Sequence, residues 1–217
     1  MRSKMDLVLH GYWRSSCSWR VRWVLNLKGL TYKNVAVNLL AGEQNAPSYL
    51  EINPHGRVPT LLVDQKPISG SLAIVEWLDE TWPLPSLLPS DPWEKALIRE
   101  MAYVIAMDTQ PIQNLSVLRK YSDREDLRQE WARDFNRKGL QVFNQLVAQN
   151  RKKGSYSFGT NLTMADICLI PQCYNAKRYG VDLEKEFPRL FEIYSFCLTS
   201  KPCADSSPDN QPEAKIT

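Results

Sequence analysis

Leu7-Val8-Leu9-His10-Gly11-Tyr12 runs into Ser15-Ser16-Cys17-Ser18 and then into the stretch from Trp19 to Lys28, and this junction decides how the first third of the chain folds. The first six residues read as a buried strand ending in a glycine. The stretch from Trp19 to Lys28 is amphipathic and is stopped by Gly29, so it reads as a helix. Thr31 to Leu39 alternates well enough for a second strand. Thr60-Leu61-Leu62-Val63-Asp64 and Pro67-Ile68-Ser69 make two short strands around a tight turn at Gln65-Lys66, and Ser71 caps a helix from Leu72 to Thr81. The order is βαβ, a connecting helix, then ββα. That predicts a small mixed sheet with helices, its first two strands parallel.

Downstream the signal changes. Trp82-Pro83-Leu84-Pro85-Ser86-Leu87-Leu88-Pro89-Ser90-Asp91-Pro92 is a proline-dense joint that no helix crosses, and beyond it the β signal disappears. Trp93 to Tyr121 has helical spacing, with a kink expected at Pro111. Asp123 to Asn150, Met164 to Tyr179 and Pro188 to Ser200 are three more helices, so the second half is an all-α bundle. Thr163-Met164-Ala165-Asp166 opens the third of these four with the pattern of a reciprocal capping box, a folding signal with no chemistry. The predicted organisation is an α/β domain over 1–83, a linker over 84–92, an all-helical domain over 93–201 and a flexible tail over 202–217, where Pro, Ser, Asp and Asn dominate.

Composition excludes several classes. A hydrophobic content of 43% in 217 residues supplies a packed core, but charges interrupt every apolar run, so no membrane span is expected. Arg2, Lys4 and Asp6 leave no apolar region for a secretory signal. The net charge of +3 is small and the basic residues are dispersed, which argues against nucleic acid as a partner. Five Cys without metal-ligand spacing and only two His argue against a zinc site or a disulfide framework; free thiols suit a reducing, cytoplasmic setting.

Five places could carry chemistry, and each also has an ordinary structural reading. Arg14-Ser15-Ser16-Cys17 sits at a helix start, where unpaired N–H groups attract an anion and a serine hydroxyl could donate to a thiolate; equally, Ser15 or Ser16 caps the helix and Cys17 is a small buried residue. Val58-Pro59 precedes a short strand, marking either a turn or a cis bond that leaves the Val58 peptide groups free for an extended ligand. Ser69-Gly70-Ser71 opens a helix as an anion site or an N-cap. Gln110-Pro111-Ile112-Gln113-Asn114 puts polar residues at a helix kink, in a pocket or in solvent. Arg178 ends a helix, where a cation complements the dipole or anchors a ligand.

Taken in order, these features resemble the cytosolic glutathione transferases: a thioredoxin-like α/β domain with Val-Pro before its third strand, a proline-rich linker and a helical-bundle second domain. Tyr12-Trp13-Arg14-Ser15-Ser16-Cys17-Ser18-Trp19-Arg20-Val21-Arg22 is similar to the signature of their zeta class, the maleylacetoacetate isomerases. The resemblance continues through Ala73-Ile74-Val75-Glu76-Trp77-Leu78, Leu87-Leu88-Pro89, Gln110 to Leu118, Met164-Ala165-Asp166, Ile170-Pro171-Gln172 and Arg178-Tyr179-Gly180-Val181-Asp182-Leu183, failing only in the tail.

The resemblance implies a glutathione-dependent cis–trans isomerase acting on a small dicarboxylic oxo-acid, as a C2 homodimer. By it, Ser15 holds the glutathione thiolate with Ser16 and Cys17 adjacent. Val58 pairs its backbone with the cysteinyl part beside a cis Pro59, Ser71 takes the γ-glutamyl carboxylate, and Gln44 the glycyl end. Gln110 and Asn114 face the pocket between the domains, and Arg178, with Arg14 second, anchors a substrate carboxylate. One departure concerns Gly70: the family usually has Gln or Glu there, and glycine loses one contact to the γ-glutamyl group. Moving a thiol from a pKa of about 8.5 to about 6.5 takes roughly 2.7 kcal/mol of thiolate stabilisation, within reach of a helix N-terminus and one or two hydroxyl donors. Other readings are maleylpyruvate isomerisation, general glutathione conjugation or α-haloacid dehalogenation, and a non-catalytic binding module.

Overall fold

Four short strands form one sheet in the order β2-β1-β3-β4: β1 (Leu7–Gly11), β2 (Lys33–Ala36), β3 (Thr60–Val63) and β4 (Lys66–Ser69). β1 runs parallel to β2 and antiparallel to β3, with Leu9 opposite Leu61. Leu9 and Leu61 are wholly buried, because both project from the face that the helices cover. The structure, a computed structural model, describes residues 5–150 and 152–215. The described residues fall into two units. One takes those up to Pro85 together with those from Lys201 on, and the other is Ser86–Ser200.

In the first unit, α1 (Ser16–Leu27) and α3 (Ser71–Thr81) pack on each other, with a short α2 (Pro47–Leu50) between β2 and β3. Trp19, Val21, Val24, Leu25, Ile74 and Leu78 make the core. The Lys28 amine at the end of α1 is buried against Asp79 of α3 at 2.7 Å and also donates to the Pro85 carbonyl at 2.6 Å.

The predicted flexible tail is corrected here. Lys201–Ser206 is a helix (α10 in chain order) lying against α1, and 3-10 turns follow at Pro208–Asn210 and Pro212–Lys215. Cys203, Ser206, Ser207 and Gln211 are buried. Composition reported the polarity of this stretch but not its use. Trp19 and Arg22 are buried donors on α1, and Ser206 supplies the acceptors: Trp19 Nε1 donates to Ser206 Oγ at 3.0 Å and Arg22 Nε to the Ser206 carbonyl at 2.9 Å.

The second unit is helical: α4 (Pro92–Tyr103), α5 (Leu115–Tyr121), α6 (Glu125–Gln149), α7 (Met164–Arg178), α8 (Leu183–Glu186) and α9 (Pro188–Leu198). Its axis is α7, where Ala165 and the run Ile167 to Ile170 are fully buried. The capping box at its start is present. Asp166 accepts from Thr163 N at 2.9 Å and from Ser157 N at 2.7 Å. Burial pushes the Asp166 carboxyl above the usual carboxylate range, and these hydrogen bonds pull it back.

The single kinked helix expected over Trp93 to Tyr121 is instead four segments. α4 passes into a π-helical turn (Val104–Thr109) and then a 3-10 turn (Gln110–Gln113) before α5 begins. Pro111 has no N–H to continue the ladder, so the chain changes pitch there. The proline joint is also shorter than expected. Leu87 is buried, and its carbonyl accepts from Met164 N at 3.1 Å, so it already belongs to the second unit.

Candidate active site

The hydroxyl of Ser15 has two lone pairs and one hydrogen, and among the described residues only the acceptor side is used. Ser15 is the N-cap of α1, with φ −69° and ψ 122°, and its Oγ accepts from Ser18 N at 3.2 Å. The capping reading and the ligand reading are therefore compatible: the O–H hydrogen remains available at the positive end of a helix of 12 residues. Ser16 opens α1 and is buried, and Cys17 is half-buried. The backbone enters closely here. A Cβ on Gly11 would stand 3.2 Å from Ser18 Oγ, and that hydroxyl accepts from Tyr12 N at 3.3 Å.

Arg14 is half-buried, with its guanidinium 5.4 Å from the centre of the Trp13 ring. Two further arginines of α1, Arg20 and Arg22, are both buried. Arg22 is committed to the fold: its Nη2 donates to the Trp13 carbonyl at 2.9 Å and its Nη1 to the Tyr12 carbonyl at 3.4 Å, besides the bond to Ser206. Burial pushes the Arg22 guanidinium down to about 10, with Tyr32 and Glu213 opposing that shift. Arg20 is different. Its Nη1 reaches Ser71 Oγ at 3.2 Å and Cys17 Sγ at 3.7 Å, while Nε and Nη2 have no hydrogen-bond partner among the described residues. The signal was present in the sequence. Arg20 follows Cys17 by three residues, so the two share a helix face.

The Val58–Pro59 bond is cis, as the resemblance implies, and Pro59 is buried. Among the described residues, neither the N–H nor the carbonyl of Val58 takes part in a hydrogen bond. The loop that presents it is fixed from beneath: Asn53 Nδ2 and Tyr49 Oη both donate to the Arg57 carbonyl, at 2.7 and 2.6 Å. Gln44 lies in a 3-10 turn (Glu43–Asn45), half-buried, with an Oε1 that has no hydrogen-bond partner among the described residues. Gly70 precedes α3 with φ +90° and ψ 121°, a region L-residues rarely adopt. Ser71 is the first residue of α3 and is not its cap; its side chain accepts from Arg20 instead. Around Ser15, Val58 and Ser71 the first unit thus leaves, among the described residues, one hydroxyl hydrogen, the Val58 N–H and carbonyl, and two guanidinium nitrogens of Arg20 unused, a set of donors with one acceptor that fits an anionic, peptide-like ligand.

In the second unit Gln110 Nε2 donates to Asn114 Oδ1 at 2.7 Å, so these two predicted residues are paired with each other. Beneath them Gln113, Asn136 and Gln172 form a buried ring of amides. Asn136 Nδ2 donates to Gln113 Oε1 at 2.6 Å, Gln172 Nε2 to Asn136 Oδ1 at 2.6 Å, and Gln113 Nε2 to Gln172 Oε1 at 3.3 Å. Arg178 is the last residue of α7, exposed, with Nη1 3.3 Å from Asn175 Oδ1 and its guanidinium 5.5 Å from the Tyr179 ring centre. Among the described residues no group of three or more His, Cys, Asp or Glu could hold a metal ion, and no helix is long and apolar enough to cross a membrane.

The glutathione S-transferase N-terminal domain model matches residues 14–81, and the C-terminal domain model matches residues 129–194. The maleylacetoacetate isomerase of Dictyostelium discoideum is 38% identical over 213 residues, covering 96% of each chain. The chain belongs to the glutathione S-transferase family. A crystal structure of maleylacetoacetate isomerase from Anaeromyxobacter dehalogenans with bound GSH in its active site superimposes with a TM-score of 0.87 at 42% identity, covering 97% of this chain and 99% of that one. A holo structure of a bacterial zeta-class maleyl pyruvate isomerase gives a TM-score of 0.91 at 33% identity, covering 95% and 99%. Membership in this family gives the free Ser15 hydroxyl and the open Val58 peptide a common context.

Proposed function

We propose that this transferase binds glutathione and catalyses the cis–trans isomerisation of maleylacetoacetate to fumarylacetoacetate. The observation that carries the reading is Ser15, which caps α1 through its lone pair and keeps its O–H hydrogen for a thiolate at the helix N-terminus. When bound, glutathione supplies a thiolate that adds to the conjugated cis double bond, leaves a single bond that rotates, and is expelled to give the trans acid unconsumed. Ser15 holds that sulfur as the anion, with Ser16 and Cys17 beside it. The Val58 N–H and carbonyl pair with the cysteinyl backbone. Ser71, behind Gly70, receives the γ-glutamyl carboxylate, and the Gln44 amide receives the glycyl end. Asn114 contributes to holding glutathione, Gln110 borders the substrate, and Arg178, or failing it Arg14, pairs with a substrate carboxylate.

The reading extends to context: a homodimer in the cytosol, serving tyrosine degradation. None of its five cysteines, all among the described residues, forms a disulfide, which suits a reducing compartment. Maleylpyruvate is the second substrate to consider, since the zeta-class neighbour at 33% identity carries that name. A glutathione-dependent assay on both diacids, followed by the loss of the cis substrate, tests the reading. No isomerisation of either diacid with glutathione present would refute it, and size-exclusion chromatography with light scattering checks the dimer.

A further inference from the structure

Arg20 and Arg22 lie two residues apart on α1, and their relative exposures of 1% and 2% make both of them interior side chains. The fold treats them oppositely. Arg22 sends its nitrogens to three carbonyls and thereby ties α1 to the turn after β1 and to α10. Arg20 has two buried nitrogens with no partner and, among the described residues, no ion pair. A buried positive charge without an anion is unfavourable, and the protein has not placed a carboxylate against this one. What it has placed there is Ser71 Oγ at 3.2 Å, at the first residue of α3, and Cys17 Sγ at 3.7 Å.

We propose that Arg20 is the buried countercharge for the γ-glutamyl carboxylate of glutathione, acting through Ser71. The inference rests on the reading above that Ser71 receives that carboxylate. Arg20 Nη1 donates to Ser71 Oγ and so fills one of its lone pairs. The hydroxyl hydrogen is then directed away from Arg20, toward the N-terminus of α3, where backbone N–H groups also await an anion. A carboxylate accepting that hydrogen stands about 6 Å or less from the guanidinium nitrogen, close enough for a direct charge–charge attraction in a buried setting. This arrangement bears on position 70, where glycine offers no side chain to the same group. The bound carboxylate neutralises a charge that the empty site leaves exposed to desolvation.

The test is calorimetric titration of glutathione and two analogues into the wild type, Arg20→Met and Arg20→Gln, with melting temperatures of the ligand-free proteins alongside. S-methylglutathione keeps the carboxylate and has no thiol proton to lose; glutathione amidated at the γ-glutamyl α-carboxylate lacks the charge. The expected result is a loss of at least tenfold in affinity of both variants for glutathione and for S-methylglutathione alike, equivalent to about 1.4 kcal/mol. The amidated analogue should bind weakly to the wild type and no more weakly to the variants. Ligand-free Arg20→Met should melt no lower than the wild type, because it removes an uncompensated charge, whereas Arg22→Met should melt far lower. Unchanged affinity, or a loss confined to glutathione with S-methylglutathione unaffected, would overturn the proposal, the latter by assigning the charge to the thiolate. Collapse of the fold in both Arg20 variants would make Arg20 a structural residue and overturn it as well. A wild type that binds no glutathione would instead remove the functional reading on which the inference rests.

Discussion

The indole N–H of Trp19 donates to Ser206 Oγ at 3.0 Å across 187 positions of sequence, and both partners are buried. The segment from Lys201 is therefore part of the first unit's core. Truncation after Ser200 should remove the acceptors that Ser206 gives to Trp19 Nε1 and Arg22 Nε, at about 1–3 kcal/mol for each buried bond lost, a large part of a domain's usual stability. Urea denaturation followed by tryptophan fluorescence should show the midpoint falling sharply. Ser206→Ala should cost only about 1 kcal/mol, since the backbone acceptor for Arg22 stays. A truncated chain with an unchanged midpoint would contradict this packing role.

Ser15→Ala should lower isomerase turnover roughly 10²-fold, the scale seen when one preorganised donor to a developing anion is removed. It also removes the N-cap that Ser18 N uses, costing about 1 kcal/mol of stability. Ser15→Thr keeps both hydroxyl functions and should keep most of the activity. Cys17→Ala should be milder and mainly weaken glutathione binding. Full activity in Ser15→Ala would move the thiolate to Ser16 or Cys17.

Arg178 separates two readings of one cation. If it only complements the C-terminus of α7, worth about 0.3–1 kcal/mol at an exposed position, Arg178→Lys should be silent. As a carboxylate anchor it should lose part of the diacid activity as Lys and most of it as Ala, chiefly through KM, because Lys cannot reproduce the bidentate fork. Conjugation of an uncharged electrophile should survive in both variants. If both activities fall together, or neither falls, Arg14 becomes the candidate.

A Cβ at Gly139 would fall 2.0 Å from Thr109 Oγ1, so α6 and the π-helical turn meet at a point that only glycine permits. Gly139→Ala should destabilise the second unit by about 1–3 kcal/mol or more through overpacking. It should also disturb diacid KM, since Thr109 immediately precedes Gln110. Thr109→Ala in the same chain removes the two nearest clashing atoms and should restore part of the thermal midpoint. A single variant that melts like the wild type would show the turn to be compliant.

Gly70→Gln should exchange stability for affinity. The φ of +90° at Gly70 makes any side chain there strained by about 1–3 kcal/mol, but a Cβ would meet nothing within 4 Å. Glutathione should bind a few-fold tighter while the ligand-free melting temperature drops. Titration and melting checks both, and a variant that loses affinity would exclude a γ-glutamyl contact from position 70.

The βαβ-ββα order, the four-stranded sheet and the capping box were legible because each has a local signal: alternation, a glycine stop, a Thr-x-x-Asp start. The break at Gln110 was half legible. Pro111 announces the loss of a hydrogen bond, but the π-helical turn before it depends on how closely Gly139 approaches, a contact of long sequence range. The last segment was misread for the same reason, since what orders Ser206 is a pair of donors on α1. In the candidate site the motif around Cys17 directed attention to the serines. The buried arginine one turn on is not legible there, because burial of a charged residue is a tertiary fact that a helical wheel of hydrophobic residues does not reveal.

The discontinuity of the first unit also sets an order of events during biosynthesis. On the ribosome, β1 through α3 emerge early, but the acceptors for Trp19 and Arg22 lie in residues made after the whole of Ser86–Ser200. The helical unit is contiguous, so it is complete and able to pack first. Until then the nascent first unit lacks the acceptors that Ser206 gives to Trp19 and Arg22, and the wait lasts as long as the translation of everything between.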